Sequence, residues 1–312
     1  MVASLEPPRG RGVPAGIVVL VSAVVWWVVG FLPWIVTGLN GSESGIMPET
    51  EWTAAVPLSA YGAGWLFNSG LIGGVCASAV WTLARPQTQP VWVMSLGGIG
   101  IAAVAALAQS GIAAASELDL GSRDYWVFVI LATACIWGSF AGWVLGVLLA
   151  LGSPWFGLGL SVAVSVGLSW YGTLLAWYVD SMGGGRASME SGGTAYELMR
   201  WQWVGVFAVA LFVIGARPVQ RLLLWPVAVV VSWFAYLPGT IAWVLSRAVF
   251  FEDSSELGEL LWYEPTTQDV IDYSVALALA GLATLALAYW RWRQPGVRSD
   301  NRSSAPEKLS VG

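Results

Sequence analysis

The sequence of 312 residues contains no histidine and a single lysine, Lys308. Without histidine the chain cannot form a Ser-His dyad, a haem or zinc site of the usual imidazole-containing kind, or an imidazole pH switch. Because the only lysine lies near the polar C-terminal end, a retinal or pyridoxal Schiff base inside an apolar segment is excluded as well. The sequence therefore predicts no cofactor and no metal ion.

Charged residues are scarce, at 11% of the chain, whereas soluble domains carry about 25%. Hydrophobic residues make up 57%, which is more apolar surface than one soluble core could bury. No basic patch suited to nucleic acid is present. Runs of about 20 apolar residues, the length that crosses a ~30 Å hydrocarbon layer, recur along the chain. The sequence therefore predicts an all-α, polytopic membrane protein surrounded by membrane lipids.

Hydropathy predicts eight transmembrane helices, numbered here as segments 1 to 8, at residues 14–38, 55–84, 91–116, 125–151, 155–179, 201–216, 222–247 and 273–291. Because segment 6 is short, Thr194 to Arg200 are expected to extend it as a helix above the membrane. Residues 1–13 are predicted to form a cytoplasmic N-terminal tail, and residues 14–291 the eight-helix transmembrane domain. Residues 292–312 are polar and lack periodicity, which predicts a disordered cytoplasmic C-terminal tail.

The distribution of charge predicts the orientation, because Arg and Lys prefer cytoplasmic loops. With both termini inside, ten of the fourteen basic residues lie on the cytoplasmic side and sixteen of the nineteen acids lie outside. An odd number of helices would place the arginines of one terminus outside. Thirteen Arg against one Lys, with abundant Ala, Gly and Val, indicate a GC-rich bacterial genome. The predicted location is the bacterial plasma membrane, with an N-in/C-in topology.

Small residues at every fourth position mark faces on which helices can approach closely in lipid. Segment 4 carries Gly138, Gly142 and Gly146 in such a run, and segments 3 and 5 carry runs that begin at Gly98 and Gly157. Segments 3, 4 and 5 are therefore predicted to form a tight inner bundle. Static packing is the simpler interpretation of these faces, and an interface that slides or gates is the functional alternative.

Two segments contain a proline after an upstream tryptophan, in the sequences FLPW of segment 1 and YLPG of segment 7. A proline inside a helix removes a hydrogen bond and kinks the helix, and kinked helices can frame a cavity. Tryptophans placed deep in the segments can line a cavity of this kind, although core or lipid-facing packing is the alternative. The candidate cavity residues are Trp27, Pro33, Trp65, Asn68, Trp233 and Pro238. For Asn68, an interhelical hydrogen bond is the alternative to substrate contact.

Seven acidic residues, with no Lys or Arg among them, lie between Phe250 and Tyr273. This outer loop is predicted to contain a short amphipathic helix, Asp253 to Trp262, that lies on the outer membrane face. Its acidic side would attract cations or a basic partner. The candidate docking residues are Glu252, Asp253, Glu256 and Glu259. The alternative is a solvated loop whose acids follow the positive-inside rule passively.

Catalytic chemistry is nearly absent from the sequence. No ionisable residue lies deep in a predicted span, although ion-coupled transporters and proton relays usually need one there. Neither a phosphate-binding loop nor a zinc-protease motif is present. Catalysis of the kind performed by membrane glycosyltransferases would depend on outer carboxylates, namely Glu49, Glu51, Asp180, Glu252 or Asp253. Because no paired motif singles out any of them, the protein is predicted not to be an enzyme.

Two functions of different classes follow from these patterns. The first is a permease-like component that handles an uncharged or lipidic substrate through segments 1, 2 and 7, as indicated by the kinks, the deep tryptophans and the small-residue faces. The second is a non-catalytic membrane subunit or scaffold that binds other cell-envelope proteins through its acidic outer loops. Bound lipid between the helices would favour the first function, and a stoichiometric protein partner would favour the second.

Overall fold

The computed structural model of this chain describes residues 13–39, 55–56, 63–83, 91–114, 123–183, 188–235, 237–251 and 267–293. All regular secondary structure in these ranges is helical: α1 (Ala15–Gly30), α2 (Leu32–Leu39), α3 (Ala63–Leu83), α4 (Val91–Ala114), α5 (Arg123–Ala150), α6 (Trp155–Gly183), α7 (Ser188–Ile214), a 3₁₀ helix (Val219–Leu223), α8 (Leu224–Phe234), α9 (Leu237–Phe251) and α10 (Thr267–Arg293). The predicted tails lie outside these ranges except at residues 13, 292 and 293, and so does the predicted amphipathic helix at 253–262.

Six helical stretches in the described ranges are long and apolar enough to cross a membrane: Ala63–Val80, Trp92–Ala113, Tyr125–Ala150, Glu197–Ile214, Val219–Ser246 and Gln268–Arg293. Two shorter apolar helices, Ala15–Gly30 and Trp155–Leu168, accompany them. Large apolar side chains such as Leu20, Ile101 and Leu285 point outward, each more than 60% exposed. Extended apolar surface of this kind is typical of contact with lipid. The chain therefore has the architecture of an all-helical, multi-pass membrane protein.

The central helix of the bundle is α3, whose apolar stretch is 56% buried, whereas that of α10 is only 17% buried. α3 packs on α1, α4, α5, α6 and α9, with its most extensive contact on α5. On the other side of the molecule, α6 packs on α7, and α7 packs on α10. The molecule is thus a core around α3 with a flank formed by α6, α7 and α10.

The contact between α5 and α3 brings two helix backbones together through glycine. A Cβ atom at Gly138, Gly142 or Gly146 would collide with α3. The atoms in the way belong to Phe67, Leu71, Val75 and Ser78. Glycines of α3 approach α5 in the same manner, because a Cβ at Gly70 would lie 2.7 Å from the carbonyl oxygen of Cys135. Small residues therefore allow the close approach that holds helices together in a membrane.

In the predicted inner bundle of segments 3, 4 and 5, α5 packs on both α4 and α6, but the three small-residue faces contact three other helices. The stripe of α5 faces α3, Gly98 of α4 faces Val19 of α1, and Gly157 of α6 faces Ala210 of α7. Among the described residues, α4 and α6 share no extensive contact. A stripe of small residues marks a face that admits a close neighbour, but it carries no information on which helix that neighbour is.

Both predicted proline kinks coincide with breaks between helices. α1 ends at Gly30 and α2 begins at Leu32, while α8 ends at Phe234 and α9 begins at Leu237. In each case the proline is the second residue of the new helix, where its missing N–H interrupts no hydrogen bond of that helix. At the first break, the indole Nε1 of Trp170 donates to the carbonyl oxygen of Gly30 at 2.9 Å. A side chain of α6 thus bonds the last carbonyl oxygen of α1.

Two helices begin earlier than the hydropathy segments. The predicted extension of segment 6 over Thr194 to Arg200 is confirmed, since α7 already begins at Ser188. Hydropathy predicts segment 8 at residues 273–291, whereas α10 begins at Thr267. The added turns bring Arg200 and Asp272 onto helices of the bundle.

We expect Gly142→Leu to lower the melting temperature in detergent, because its side chain would meet the α3 backbone at Leu71. Overpacking of this kind costs about 1–3 kcal/mol. Gly100→Leu is the matched control, since no atom lies within 4 Å of a Cβ built at that exposed position. Equal melting temperatures for the two variants would contradict the tight α3–α5 contact.

Candidate functional site

A cavity of about 580 Å³ lies between α3, α6, α7, α8, α9 and α10. Pockets that bind small molecules usually measure about 300–1,000 Å³. One end of the cavity is formed by the first turns of α10 together with Arg200 of α7, and the other reaches the break between α8 and α9. The cavity therefore extends from the end of the bundle toward its interior.

Arg200 and Asp272 form an ion pair at the first end. The guanidinium Nε lies 2.9 Å from both carboxylate oxygens, and Nη2 lies 2.9 Å from Oδ1. Gln268, one turn earlier on α10, donates from Nε2 to the same Oδ1 at 2.9 Å. The two charged side chains are only 17% and 11% exposed. Since charge-assisted hydrogen bonds of this geometry are among the stronger ones in proteins, the pair ties α7 to α10.

The same guanidinium has a second carboxylate partner. Nη1 of Arg200 donates to Glu197, one turn earlier on α7, at 3.0 and 3.3 Å. The guanidinium carbon also lies 5.2 Å from the centre of a Trp201 ring. The one positive charge of Arg200 is therefore shared between two carboxylates, Glu197 and Asp272.

Three aromatic rings follow the ion pair toward the interior. Trp203 stacks on Phe207 with a centroid distance of 5.2 Å, and the edge of Tyr273 meets both rings at 5.0 and 5.2 Å. Trp203 and Tyr273 line the cavity, as does Trp243 of α9. Aromatic pairs in these geometries contribute about 0.5–1.5 kcal/mol beyond their buried area. They form a firm apolar wall between α7 and α10.

The inner end of the cavity lies at the end of α8, where Ser232 and Trp233 are consecutive lining residues. Within the described part of the chain, the buried Oγ of Ser232 and the buried Nε1 of Trp233 have no hydrogen-bond partner. A buried polar group without a partner costs about 1–3 kcal/mol. The two groups are therefore buried beside the cavity without a partner among the described residues, and each lowers the stability of the fold.

Glycines bring α3 and α9 together beside these residues. A Cβ at Gly64 would lie 2.9 Å from the carbonyl oxygen of Gly239. On the other side, a Cβ at Gly239 would lie 3.4 Å from Oδ1 of Asn68. The first turn of α9 can thus cross α3 closely enough to place Gly239 and Thr240 in the lining.

Two of the predicted cavity residues, Asn68 and Trp233, line this cavity. Pro238 does not line it, but is the neighbour of Gly239, which does. Three other predicted residues, Trp27, Pro33 and Trp65, do not line it. The expectation that segment 1 shares a cavity with segments 2 and 7 therefore stays a prediction for these three residues.

Their positions follow from the packing of α1, which lies on α3 and α4. Trp27 donates from Nε1 to the carbonyl oxygen of Ala55 at 2.9 Å, on an exposed edge of the molecule. Pro33 is fully buried in the core. Trp65 meets the edge of the Phe31 ring at 6.1 Å and belongs to the hydrophobic cluster around Trp26. Pro33 and Trp65 thus lie in the core, whereas Trp27 lies at its exposed edge.

The candidate docking residues Glu252, Asp253, Glu256 and Glu259 lie outside the described residues. So do Glu49 and Glu51, two of the acids considered for catalysis, whereas Asp180 lies near the end of α6. In the described ranges, no three Cys, Asp or Glu side chains converge to hold a metal ion.

The ion pair was not predicted from the sequence, because hydropathy segments 6 and 8 exclude both of its residues. Segments 6 and 8 begin at residues 201 and 273, each one residue after a member of the pair. The helical extension predicted for segment 6, which ends at Arg200, was the available signal, since it makes α7 and its arginine continuous. For Ser232, whose hydroxyl has no distinguishing pattern around it in the sequence, no comparable signal exists.

No protein-family model, no curated protein and no solved structure matches this chain. The function is therefore inferred from the geometry of the cavity itself.

We expect Arg200→Met to destabilise the protein more than the double variant Arg200→Met/Asp272→Leu, as measured by melting in detergent. The single substitution leaves a largely buried carboxylate without its cation, whereas the double substitution removes both charges. Glu197→Gln is the control and should change the melting temperature little, because that carboxylate is 55% exposed. If the effects of Arg200→Met and of Asp272→Leu alone added up to that of the double variant, Arg200 and Asp272 would not act as a pair.

Proposed function

We propose that this protein is a permease-like component of the bacterial plasma membrane that binds an uncharged or lipidic substrate in the cavity between α3 and the helices α6 to α10. The observation that carries this proposal is the cavity of about 580 Å³ inside a membrane-spanning bundle. It combines aromatic walls with a small number of polar groups. This composition is typical of sites that bind small molecules.

The engagement of Arg200 argues against an anionic substrate, and the aromatic walls favour an uncharged one. The charged side chains among the described lining residues are Arg200, Asp269 and Asp272, and Arg200 is already engaged by Asp272. A charged substrate would lose its water on entering and would compete with this pair for its partners. An apolar body can instead lie against Trp203, Trp243 and Tyr273 without such a cost.

The break between α8 and α9 supports transport over simple storage of a lipid. Discontinuous helices recur at the substrate sites of membrane transporters, where the interrupted backbone lies beside the ligand. Here the break adjoins the inner end of the cavity, next to Ser232 and Trp233. A second break, between α1 and α2, lies elsewhere in the bundle. The two breaks are points at which segments can bend while α3 and α5 stay packed.

We infer eight spans with both termini in the cytoplasm. In this topology each of the six long apolar stretches crosses the membrane once. α6 forms one further span, and α1 together with α2 forms another. α6 has 29 residues, which corresponds to about 43 Å of helix and is enough to cross a bilayer. Arg217 and Arg221, which flank the start of the 3₁₀ helix, then lie on the cytoplasmic side, as the positive-inside rule requires.

This topology predicts the labelling of two single-cysteine variants in a chain whose Cys76 and Cys135 are replaced by Ala. Val219→Cys, at a position 75% exposed, should react with a membrane-impermeant maleimide only after the cells are permeabilised. Gln268→Cys, at an exposed position at the opposite ends of the helices, should react in intact cells. The reverse pattern, or labelling of both positions in intact cells, would contradict the N-in/C-in topology.

Filling the cavity should remove its ligand. A Cβ at Gly172 would meet only the flexible side chain of Met199, whose sulfur lies at 3.2 Å, so Gly172→Leu can occupy the cavity without moving backbone. Native mass spectrometry of the wild-type protein purified from bacterial membranes should detect a bound uncharged lipid, and Gly172→Leu should lose most of it. Gly205→Leu, which has open space around it, is the control for the added bulk.

The transport step is tested with the lipid identified in this way. Proteoliposomes that contain wild-type protein should transfer that lipid between leaflets faster than those with Gly172→Leu. Equal transfer rates, together with equal lipid binding, would overturn the proposed function.

A further inference from the structure

The two ends of the helical bundle differ in charge. In the described ranges, every carboxylate lies near the end of α6 or near the start of α5, α7 or α10, at the end of the bundle that carries the ion pair: Asp124, Asp180, Glu190, Glu197, Asp269 and Asp272. The opposite end carries Arg217 and Arg221 between α7 and α8, and Arg291 and Arg293 in the last turn of α10. The described part of that end is therefore purely basic.

The connection from α7 to α8 is fixed to the turn between α5 and α6. The hydroxyl of Ser153, in that turn, donates to the carbonyl oxygen of Val213 at 2.7 Å and accepts a hydrogen bond from Nη1 of Arg221 at 3.2 Å. Gly215, with a φ of 78°, has the left-handed conformation that commonly ends a helix. The guanidinium of Arg221 is thus held in place at this end of the bundle, although Ser153 accepts from only one of its five N–H donors.

Exposed apolar side chains accompany these arginines. Val219 and Leu223 are 75% and 71% exposed, and Leu222 is exposed as well. Val219 is also the first residue of an apolar stretch that is long enough to cross a membrane, so this segment lies where hydrocarbon meets the lipid headgroups. Residues 217–223, called here the basic connector, therefore combine positive charge with apolar contact area at the membrane surface.

The chemistry of the basic connector defines its partner. A guanidinium binds a phosphate through charge-assisted and often bidentate hydrogen bonds, and no carboxylate of the described ranges lies at this end to compete for Arg217 and Arg221. A free phosphate or an acidic protein segment would match the charge but would leave Val219 and Leu223 uncovered. An anionic phospholipid supplies both a phosphate and acyl chains.

We propose that the basic connector binds an anionic phospholipid, with the phosphate at Arg217 and Arg221 and the acyl chains against Val219 and Leu223. Arginines beside a membrane span attract anionic lipids of the adjacent leaflet. None of the four residues lines the cavity. The lipid at the connector is therefore separate from the substrate of the cavity, and the assignment does not depend on the proposed function.

Native mass spectrometry of the purified full-length protein tests this assignment. The protein in detergent is titrated with phosphatidylglycerol, or with phosphatidylcholine that has the same acyl chains. Wild type should bind phosphatidylglycerol more tightly, and Arg217→Gln/Arg221→Gln should weaken that binding about fivefold for each arginine removed. Arg217→Lys/Arg221→Lys should retain most of the preference, because lysine still presents a positive charge to phosphate. Equal binding of the two lipids by wild type would overturn the assignment.

Arg291 and Arg293 provide a matched control at the same end of the bundle. Arg291→Gln/Arg293→Gln removes the same charge, but from a helix end where the guanidinium of Arg293 lies over the ring of Tyr289 at 4.8 Å. This variant should weaken phosphatidylglycerol binding much less than Arg217→Gln/Arg221→Gln. Equal losses from the two double variants would show that net charge alone attracts the lipid, and the assignment to the connector would fall.

A single substitution separates binding from folding. Arg221→Gln removes the bond to Ser153 as well as a charge, whereas Arg217→Gln leaves that bond intact. Arg217→Gln should therefore keep the melting temperature of wild type in lipid-free detergent and still bind phosphatidylglycerol about fivefold more weakly. Binding as tight as that of wild type would contradict a phosphate held by both arginines.

The remaining outcomes distinguish the connector from other sites and partners. Gly172→Leu, which fills the cavity, should leave phosphatidylglycerol binding unchanged, and a loss would place this lipid in the cavity instead. Competition by inorganic phosphate at the concentration of the lipid would identify a site for a free anion. An acidic protein that copurifies with wild type and displaces phosphatidylglycerol would identify a protein interface. Each of these three results would overturn the lipid assignment.

Discussion

Close backbone contact between α3 and α5 is the interaction on which the rest of the bundle depends. Lipid tails are as apolar as leucine, so burial of apolar side chains gives little drive for helices to associate within a membrane. Glycine at Gly138, Gly142 and Gly146 lets the two backbones meet, and dispersion and polar contacts then act over the whole length of the interface. Trp26 of α1 adds to this core, because its indole donates to Ser139 of α5 at 2.9 Å. α1 is thereby fixed to the same centre.

The flank of α6, α7 and α10 is organised on a different principle. Its helices meet α3 less extensively, and the space that remains between them is the cavity. At one end Arg200, Asp272 and Gln268 satisfy one another, while at the other end Ser232 and Trp233 have no partner among the described residues. The first end ties α7 to α10, whereas the unpartnered groups at the second cost stability.

Composition and hydropathy were enough to predict an all-helical membrane protein, because long apolar runs have few alternatives in a bilayer. The apolar part of each helix was located as well, but α7 and α10 begin well before their hydropathy segments. The sequence does not predict which helix each stripe of small residues faces. Gly98 and Gly142 have similar surroundings in the sequence but different partners in the fold. The Arg200–Asp272 pair was not predicted because its residues are far apart in the chain and each lies one residue outside a hydropathy segment. The prolines located both helix breaks, yet only the break before Pro238 borders the cavity, a result that depends on tertiary packing.

The slight burial of α10 has a consequence for how the site is filled. This helix forms one wall of the cavity through Asp272 and Tyr273, and its extensive contacts in the described chain are with α7 alone. The wall is thus a single helix thick, with lipid on its outer side. If the proposed substrate is lipidic, it is dissolved in the bilayer next to this wall, so its occupancy would depend on its mole fraction in the membrane and not on its concentration in water. The protein would then be loaded in a membrane rich in that lipid and emptied when bulk lipid dilutes it.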